Sequence, residues 1–318
     1  MSRAALAALV VLGLGAAGPG PLPRSQLAVR ADDAWRVWWR SDSAPAVWRG
    51  ADHRLTDAVR FTPAAPGVEW AEVRLAGAGE AWRMGLVVVR LDPARLRLAL
   101  EARPRADGFG GRWRADAVAD DVVLAANAGQ FSGARPWGWL VRGGRELQTP
   151  GFGPAALAVV VDTAGAVHWV GPDSIAAWRP DADRGRAEGR AGGAVREAFQ
   201  SYPALLVGDG DVPAPLRAAG GGVDVAHRDA RLALGETRDG RLLLVLTRFQ
   251  GLGDAAELLP FGLTTPEMAA VMGALGARRA VALDGGLSAQ LSLRDAAGGR
   301  HAWRGLRPVP LGLVVRRR

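Results

Sequence analysis

Val281-Ala-Leu-Asp-Gly-Gly-Leu-Ser-Ala-Gln-Leu-Ser292 is the stretch that most constrains the fold. Its apolar residues predict a buried strand, which ends at the single carboxylate of Asp284. Gly285 and Gly286 follow, and glycines allow either a positive φ angle or a close approach of another group to the backbone. The pattern is typical of an acid presented at a strand end for catalysis or ligand binding, although Asp-Gly is also a common hairpin turn.

A second segment has the same design. Asp121-Val-Val-Leu-Ala-Ala-Asn-Ala-Gly-Gln-Phe131 also runs from apolar residues into a polar residue and a glycine, and a segment rich in Trp and Gly follows at 136–144. We expect the two strand ends to meet at one pocket. Asn127 would then donate hydrogen bonds to a sugar hydroxyl or a phosphate oxygen. The alternative is a turn residue, since Asn tolerates the left-handed conformation.

Together these segments resemble the phosphodiester glycosidase family. Six motifs of that family have counterparts here, in the family's order. The matching segments are Ala126–Phe131, Pro136–Gly138, Tyr202–Val207, Arg231–Gly235, Gly262–Met268 and Leu283–Ser288. The resemblance spans roughly residues 85–316. No single motif decides it, but the ordered set is fairly specific.

The chain also departs from the family pattern. Ala128 and Gln130 stand where the family has Gly and Phe, and Leu287 replaces a third glycine. The strand at 244–249 lacks the Asp-Gly-Arg that often follows the family's Arg-bearing hairpin. We therefore interpret the chain as a divergent bacterial branch, whose substrate does not follow from the family alone.

The resemblance supports these positions, and their chemistry suggests roles. Asp284 would be the catalytic base or nucleophile, Arg231 a clamp for a phosphate diester, and Asn127 part of the catalytic shell that orients the substrate. The candidate substrate-binding residues are Gly129, Gln130, Gly285, Gly286, Ser288, Arg248 and Thr264. The glycine amides could face an oxyanion, with ordinary turn geometry as the alternative. In a chain this rich in Arg, a solvated surface position is the alternative for Arg231, and Arg248 is the weaker candidate of the two.

The rest of the chain indicates an α+β fold. Short apolar runs between turn signals dominate residues 68–318, which predicts a mixed, strand-rich sheet core with a few flanking helices in a single main domain. Thr264-Thr-Pro-Glu267 predicts the start of a helix that ends at Gly276. Residues 24–67 are a Trp-rich N-terminal extension, in which the helical spacing of Trp at 35, 38 and 39 predicts a short helix. The polar segment 180–193 predicts a solvated loop bordering the site.

The first 23 residues predict export. A short positive start precedes an apolar run from Ala4 to Ala17, and small residues and prolines follow as far as Pro23. This layout is typical of a secretory signal peptide, with an uncleaved N-terminal anchor as the alternative. The run is shorter than the roughly 20 residues of a membrane span. We therefore expect a secreted or periplasmic protein, which contacts a membrane only through this segment if the segment is not cleaved.

Composition narrows the class of partner. The 318 residues include 40 basic side chains, all of them Arg, against 32 acidic ones, and there is no Cys. The absence of Cys excludes disulfides, thiol nucleophiles and zinc–thiolate sites. The net charge of +8 suits an anionic sugar-phosphate or glycan substrate, and no nucleic-acid-binding motif is present. No cofactor is certain, but Asp209-Gly-Asp211 offers two carboxylates that could hold Ca²⁺ weakly.

The favoured hypothesis is an exported hydrolase that cleaves a sugar phosphodiester at the glycosidic carbon, acting on a glycan or envelope polymer. Glycosidases generally use two carboxylates, but a phosphate monoester is already a good leaving group, which reconciles one prominent Asp with this chemistry. Two alternatives stay open. One is a non-catalytic envelope protein that binds exopolysaccharide or cell-wall polymer, and the other is a phosphodiesterase that cuts at phosphorus.

Overall fold

The computed structural model describes residues 21–102, 112–153, 155–179, 194–251 and 258–318. Most of the expected signal peptide and the expected loop at 180–193 lie outside these ranges.

A nine-stranded sheet is the largest element of the fold. Its central strands are β5 (Met84–Leu91) and β17 (Leu242–Phe249), which pair with each other over their whole lengths. Both are near-continuous apolar runs because both faces of the sheet are covered. In spatial order the sheet contains β15 (Ala204–Leu206), β18 (Ala277–Leu283), β16 (Leu232–Thr237), β17, β5, β4 (Val68–Gly77), β1 (Gln26–Ala31) and β2 (Ala34–Arg40), with β3 (Thr62–Ala65) paired to β4.

The Trp-rich N-terminal segment belongs to this sheet. Three of its Trp residues, Trp35, Trp38 and Trp39, lie on β2, so the predicted helix is wrong. The register passes from Leu27 opposite Trp39 to Ala28 opposite Val37, which leaves Trp38 as the extra residue of a bulge. A bulge lets two consecutive side chains turn to the same side, so Trp38 and Trp39 are both buried. The resulting spacing of the Trp residues along the chain is therefore the same as on one face of a helix.

Two five-stranded sheets and a two-stranded ribbon complete the strands. One sheet has the order β11 (Arg145–Gln148), β10 (Leu140–Arg142), β14 (Val195–Ser201), β12 (Leu157–Asp162) and β13 (Val167–Val170). The other has the order β20 (Arg300–Trp303), β19 (Leu291–Arg294), β7 (Val122–Asn127), β21 (Gly312–Arg317) and β6 (Leu96–Glu101). The ribbon pairs β8 (Phe131–Ser132) with β9 (Arg135–Pro136).

The strand-rich α+β prediction is confirmed. In one detail the structure differs, because all strand pairs among the described residues are antiparallel where a mixed sheet was expected. Many consecutive strands, such as β12 and β13, are joined by short turns. Such connections permit only antiparallel pairing, since parallel strands need a long crossover.

The helices in these ranges include α1 (His53–Thr56) and α2 (Thr265–Ala274). The predicted start of α2 is confirmed, since the hydroxyl of Thr264 accepts from the Glu267 amide and the Glu267 side chain accepts from the Thr264 amide. Every residue of α2 is buried. No helix in the described parts of the chain is long and apolar enough to cross a bilayer.

The nine-stranded sheet is the middle layer of the protein. On β17, the side chains of Leu243 and Val245 join the core that contains α2. Those of Leu242, Leu244 and Leu246 join the core shared with the two five-stranded sheets. This alternation with period two gives the central strand two buried faces. The sheet therefore has a helix on one side and strands on the other.

Candidate functional site

The strand ends singled out in the sequence meet at one place. β18 ends directly before Asp284, and β16 begins directly after Arg231. Their terminal residues Leu283 and Leu232 are register partners, so Asp284 and Arg231, the residues just beyond them, lie at the same end of the strand pair. The amide of Asp284 also donates to the carbonyl of Gly129 at 2.7 Å, which brings in the end of β7. Three strand ends thus converge, as the sequence predicted for two of them.

Asn127, at the end of β7, ties these strand ends together. Its side chain is fully buried, Nδ2 donates to the carbonyl of Asp284 at 2.6 Å, and Oδ1 accepts from the amide of Gln290 at 3.1 Å. A buried amide bonded at both ends fixes the backbone on both sides of the Asp284 turn. The contacts of Asn127 therefore fix the main chain that carries the carboxylate, whereas the sequence predicted that Asn127 would hydrogen-bond a sugar hydroxyl or a phosphate oxygen.

Gly285 and Gly286 let the Asp284 turn approach the segment before β16. A Cβ at Gly285 would lie 2.4 Å from the carbonyl oxygen of Ala230, and one at Gly286 would lie 2.7 Å from Oδ2 of Asp229. Gly286 has a φ of 57° and donates its amide to the carbonyl of Ala230 at 2.8 Å. Both glycines thus permit a close approach. The Gly286 amide is used inside the fold and does not face an oxyanion.

The surroundings of Asp284 raise its pKa to about 6. Burial is the main cause, and the negative charge of Asp229 adds to it. The Ser288 hydroxyl, which hydrogen-bonds the carboxylate, and the Arg307 guanidinium act in the opposite direction. A carboxyl that changes protonation near neutral pH is suited to acid–base chemistry, and such groups concentrate at functional sites.

The raised pKa of Asp284 predicts a pH dependence of stability. The folded carboxyl keeps its proton to a higher pH than the unfolded one, so its stabilising contribution is present below the unfolded pKa of 3.8 and is lost as the pH rises through about 6. The loss corresponds to roughly 3 kcal/mol. We expect urea denaturation to show the wild type losing stability relative to Asp284→Asn between pH values of about 4 and 7. Identical pH dependence of the two proteins would contradict this.

A second carboxylate, Asp229, lies beside the Asp284 turn and was missed in the sequence. Burial raises its pKa, against the opposing charges of Arg231 and His227. Its amide donates to the carbonyl of Leu263 at 3.2 Å, which holds the backbone in place. The available signal was an acid two residues before the candidate Arg.

Arg231 is held in place by main-chain carbonyls. Its Nε donates to Leu263 at 2.8 Å and its Nη2 to His227 at 2.6 Å. Within the described ranges, no carboxylate lies within 4 Å of the guanidinium, and Nη1 has no hydrogen-bond acceptor. Burial lowers the pKa of Arg231, and the nearby charges of Asp229 and Asp224 oppose this. A guanidinium stays protonated in proteins, so the site contains an immobilised cation that still has unused N–H donors.

A cleft of about 330 Å³ opens beside this cation. The residues that line it are Gln130, Phe131, Trp137, Tyr202, Pro203, Val223, Asp224, His227, Arg231 and Thr265. Two predicted site residues, Gln130 and Arg231, are thus on its surface. Asp284 is not among the lining residues, but it is hydrogen-bonded to Gly129, the neighbour of Gln130. His227 also lines the cleft.

Two predicted substrate-binding residues have other partners. Thr264 caps α2, and the Glu267 carboxylate that completes the cap also pairs with both Nη atoms of Arg228, at 2.6 and 2.7 Å. Arg248 is buried, and its Nη2 donates to the carbonyls of Ala289 and Arg304 at 3.1 and 2.7 Å. Neither residue lines the cleft. Their recorded contacts support the fold around the site.

The described residues contain no cluster of three or more His, Asp or Glu side chains suited to a metal ion. At the proposed calcium position, Oδ1 of Asp209 pairs with Nη1 of Arg238 at 2.7 Å. The carboxylate of Asp209 thus already has a cationic partner.

Comparison with known proteins supports the fold. A family model described as phosphodiester glycosidase matches residues 120–316. No curated protein sequence gives a significant match.

Solved structures with a similar fold include two that cover most of this chain. One is the catalytic domain of zebrafish N-acetylglucosamine-1-phosphodiester alpha-N-acetylglucosaminidase, auto-inhibited by its pro-peptide, with a TM-score of 0.57 at 14% identity over 87% of this chain and 96% of that one. Another is a hypothetical protein from Synechocystis, with a TM-score of 0.51 at 16% identity over 92% of this chain and 68% of that one. At such identities the likeness establishes the fold alone.

Proposed function

The chain belongs to the phosphodiester glycosidase family, and from that membership we propose that it hydrolyses a sugar phosphodiester at the glycosidic carbon. The observation that carries the proposal is the meeting of the strand ends that carry Arg231 and Asp284. One is a fixed cation without a carboxylate within 4 Å among the described residues, and the other is a carboxyl with a pKa of about 6. The first suits the phosphate of the substrate, and the second suits chemistry at the sugar.

The proposed roles follow from charge. Arg231 presents donors of its guanidinium to the phosphate, whose oxygens become more negative as the glycosidic bond breaks. A positive group already in position stabilises this developing charge without reorganisation. Above a pH of about 6 Asp284 is ionised. It then acts at the anomeric carbon, as base for a water molecule or as nucleophile, and Asn127 holds its backbone in place.

An aromatic wall of the cleft is the proposed place for the sugar ring. Trp137 and Tyr202 lie with their ring centroids 6.2 Å apart, and both line the cleft together with Phe131. The Tyr202 hydroxyl donates to the carbonyl of Gly222 at 2.6 Å, which fixes that ring. Flat apolar faces with a few polar groups are typical of sites that bind small molecules.

Replacing Trp137 by Ala should therefore weaken substrate binding more than it slows the bond-breaking step. We expect KM to rise roughly fivefold with kcat changed much less, because one aromatic contact contributes about 1 kcal/mol. Steady-state kinetics on the best substrate measures both. Trp35→Ala is the matched control, since Trp35 is 44% exposed on β2 at the opposite edge of the large sheet. An unchanged KM in Trp137→Ala would show that the sugar ring does not bind at this aromatic wall.

Turnover of a substrate panel tests the proposed reaction. The panel contains diesters of N-acetylglucosamine 1-phosphate and of hexose 1-phosphates, each with and without added Ca²⁺, and free sugar is measured. Release of free sugar supports the hydrolase. Binding of these diesters or of exopolysaccharide without any turnover would overturn it in favour of the non-catalytic envelope protein.

We also propose that the protein is exported. The support is the order of charge, apolar run and small residues in the first 23 positions. Mass spectrometry of the protein recovered outside the cytoplasm should show an N-terminus after this segment. A cytoplasmic protein that still carries Met1 or Ser2 would contradict export.

A further inference from the structure

Phe152 is an apolar side chain that lies almost wholly in solvent. It belongs to the loop between β11 and β12, and at 97% exposure it is the most exposed large apolar side chain in the described ranges. Single exposed apolar residues are common on protein surfaces, so exposure alone indicates no function. What distinguishes Phe152 is its position beside the aromatic wall of the cleft.

The two glycines that flank Phe152 place it at the end of that wall. A Cβ at Gly151 would lie 2.9 Å from Cζ2 of Trp137. A Cβ at Gly153 would lie 3.9 Å from Cδ2 of Tyr202 and 4.0 Å from Cη2 of Trp137. The main chain on both sides of Phe152 therefore lies against the rings that line the cleft, and the Phe152 side chain starts next to them.

Buried contacts hold this loop in place. Gln200 is 1% exposed, and its Oε1 accepts from the amides of Gly151 and Trp139 at 2.8 and 2.9 Å. Its Nε2 donates to the carbonyl of Gly151 at 3.1 Å. Nearer to β11, Nε2 of Gln148 donates to the carbonyl of Pro136 at 2.7 Å. Both contacts tie the loop to the segment that contains the Trp of the wall, so little ordering of the loop main chain is needed when a ligand binds.

Phe152 continues the side of the cleft that is proposed to hold the sugar. The phosphate clamp Arg231 comes from the segment before β16, on the polar side of the cleft. The atoms nearest to the two flanking glycines belong instead to Trp137, to its neighbour Gly138 and to Tyr202. A further group bound at Phe152 is therefore attached to the sugar, and not to the alcohol on the other side of the phosphate.

We propose that Phe152 binds a second sugar ring, so that the substrate is the phosphodiester of an oligosaccharide. The proposal rests on the proposed function, because it uses the same cleft and the same sugar wall. A pyranose ring has an apolar face of C–H groups that packs on an aromatic ring, and such packing removes apolar surface of both rings from water. The sugar joined to the phosphate lies at Trp137 and Tyr202, and the next sugar lies at Phe152.

Substrates that differ by one sugar provide the test. One is the methyl phosphodiester of the monosaccharide that the wild type hydrolyses best, and the others carry a second copy of that sugar at its 3-, 4- or 6-hydroxyl group. We expect the wild type to have a KM about fivefold lower for at least one disaccharide than for the monosaccharide, as for one added aromatic contact. Phe152→Ala should abolish this difference by raising KM for the disaccharide. KM for the monosaccharide and kcat for both should stay unchanged.

Two conservative variants separate stacking on a ring from any apolar contact. Phe152→Tyr keeps the flat face and should keep the wild-type KM for the disaccharide. Phe152→Leu keeps an apolar side chain without a flat face, and its KM should rise as in Phe152→Ala. All three variants should fold as the wild type does, because a side chain that is 97% exposed contributes little to stability.

The outcomes separate the inference from the function on which it rests. A wild type that hydrolyses the monosaccharide and the disaccharides with equal KM overturns the inference alone, and so does a disaccharide preference that Phe152→Ala retains. A KM for the disaccharide in Phe152→Leu equal to that of the wild type would refute the stacking contact. A wild type that releases sugar from none of these diesters overturns the proposed function, and the inference with it.

Discussion

Asp284→Asn is expected to lower kcat on the sugar phosphodiester by about 10²–10⁴-fold, the range typical of a lost acid–base group. The substitution keeps the size of the side chain. It also leaves the two main-chain hydrogen bonds of Asp284, to Gly129 and from Asn127, in place. The loss should therefore fall on kcat with the fold retained. Steady-state kinetics together with circular dichroism of the variant measures both.

A matched control separates the loss of this carboxylate from the loss of any negative charge. Asp57→Asn removes a carboxylate whose side chain is 74% exposed just after α1, and it should leave kcat unchanged. If Asp284→Asn stays within a few-fold of the wild type while Asp57→Asn behaves as expected, Asp284 is not the catalytic carboxylate.

Arg231→Ala is expected to lower kcat/KM by about 10²–10³-fold, as for other lost groups that stabilise charge in the transition state. The variant removes the cation and leaves the carbonyls of Leu263 and His227 without their donor. Arg231→Lys should recover only part of the activity, because a single ammonium cannot hold both carbonyls and bind phosphate through two parallel bonds. Kinetics at two ionic strengths measures the electrostatic share of the loss.

Arg74→Ala is the control for Arg231→Ala, since Arg74 is an exposed cation on β4. Its removal changes the net charge by the same amount and should leave kcat/KM unchanged. Equal effects of the two substitutions would mean that only the overall charge matters, and the phosphate clamp at Arg231 would be refuted.

Local chemistry explains which parts of the fold could be predicted from the sequence. The start of α2 follows from Thr264, Pro266 and Glu267, whose cap needs only neighbouring residues. β2 was mistaken for a helix because the bulge at Trp38 depends on its partner strand. Sequence spacing carries no information about such a partner.

The candidate site also divides into features encoded by neighbouring residues and features that depend on distant ones. Asp284 and its glycines stand out because a strand end, an acid and a close backbone approach are all encoded within a few residues. Asp229 does not, since its importance arises from the pairing of β16 with β18, which brings residues about 55 positions apart together. Thr264 and Arg248 could be singled out as candidates from the sequence, but their partners, Glu267 and two main-chain carbonyls, are known only from the fold.

Hydrolysis in ¹⁸O-labelled water tests the central claim most directly. Cleavage at the glycosidic carbon places the labelled oxygen in the released sugar and leaves the phosphate monoester unlabelled. Mass spectrometry of both products, with rapid quenching to limit exchange at the anomeric hydroxyl, locates the label. We predict that the label is found in the sugar. Label found in the phosphate would contradict the account and would establish a phosphodiesterase that cuts at phosphorus.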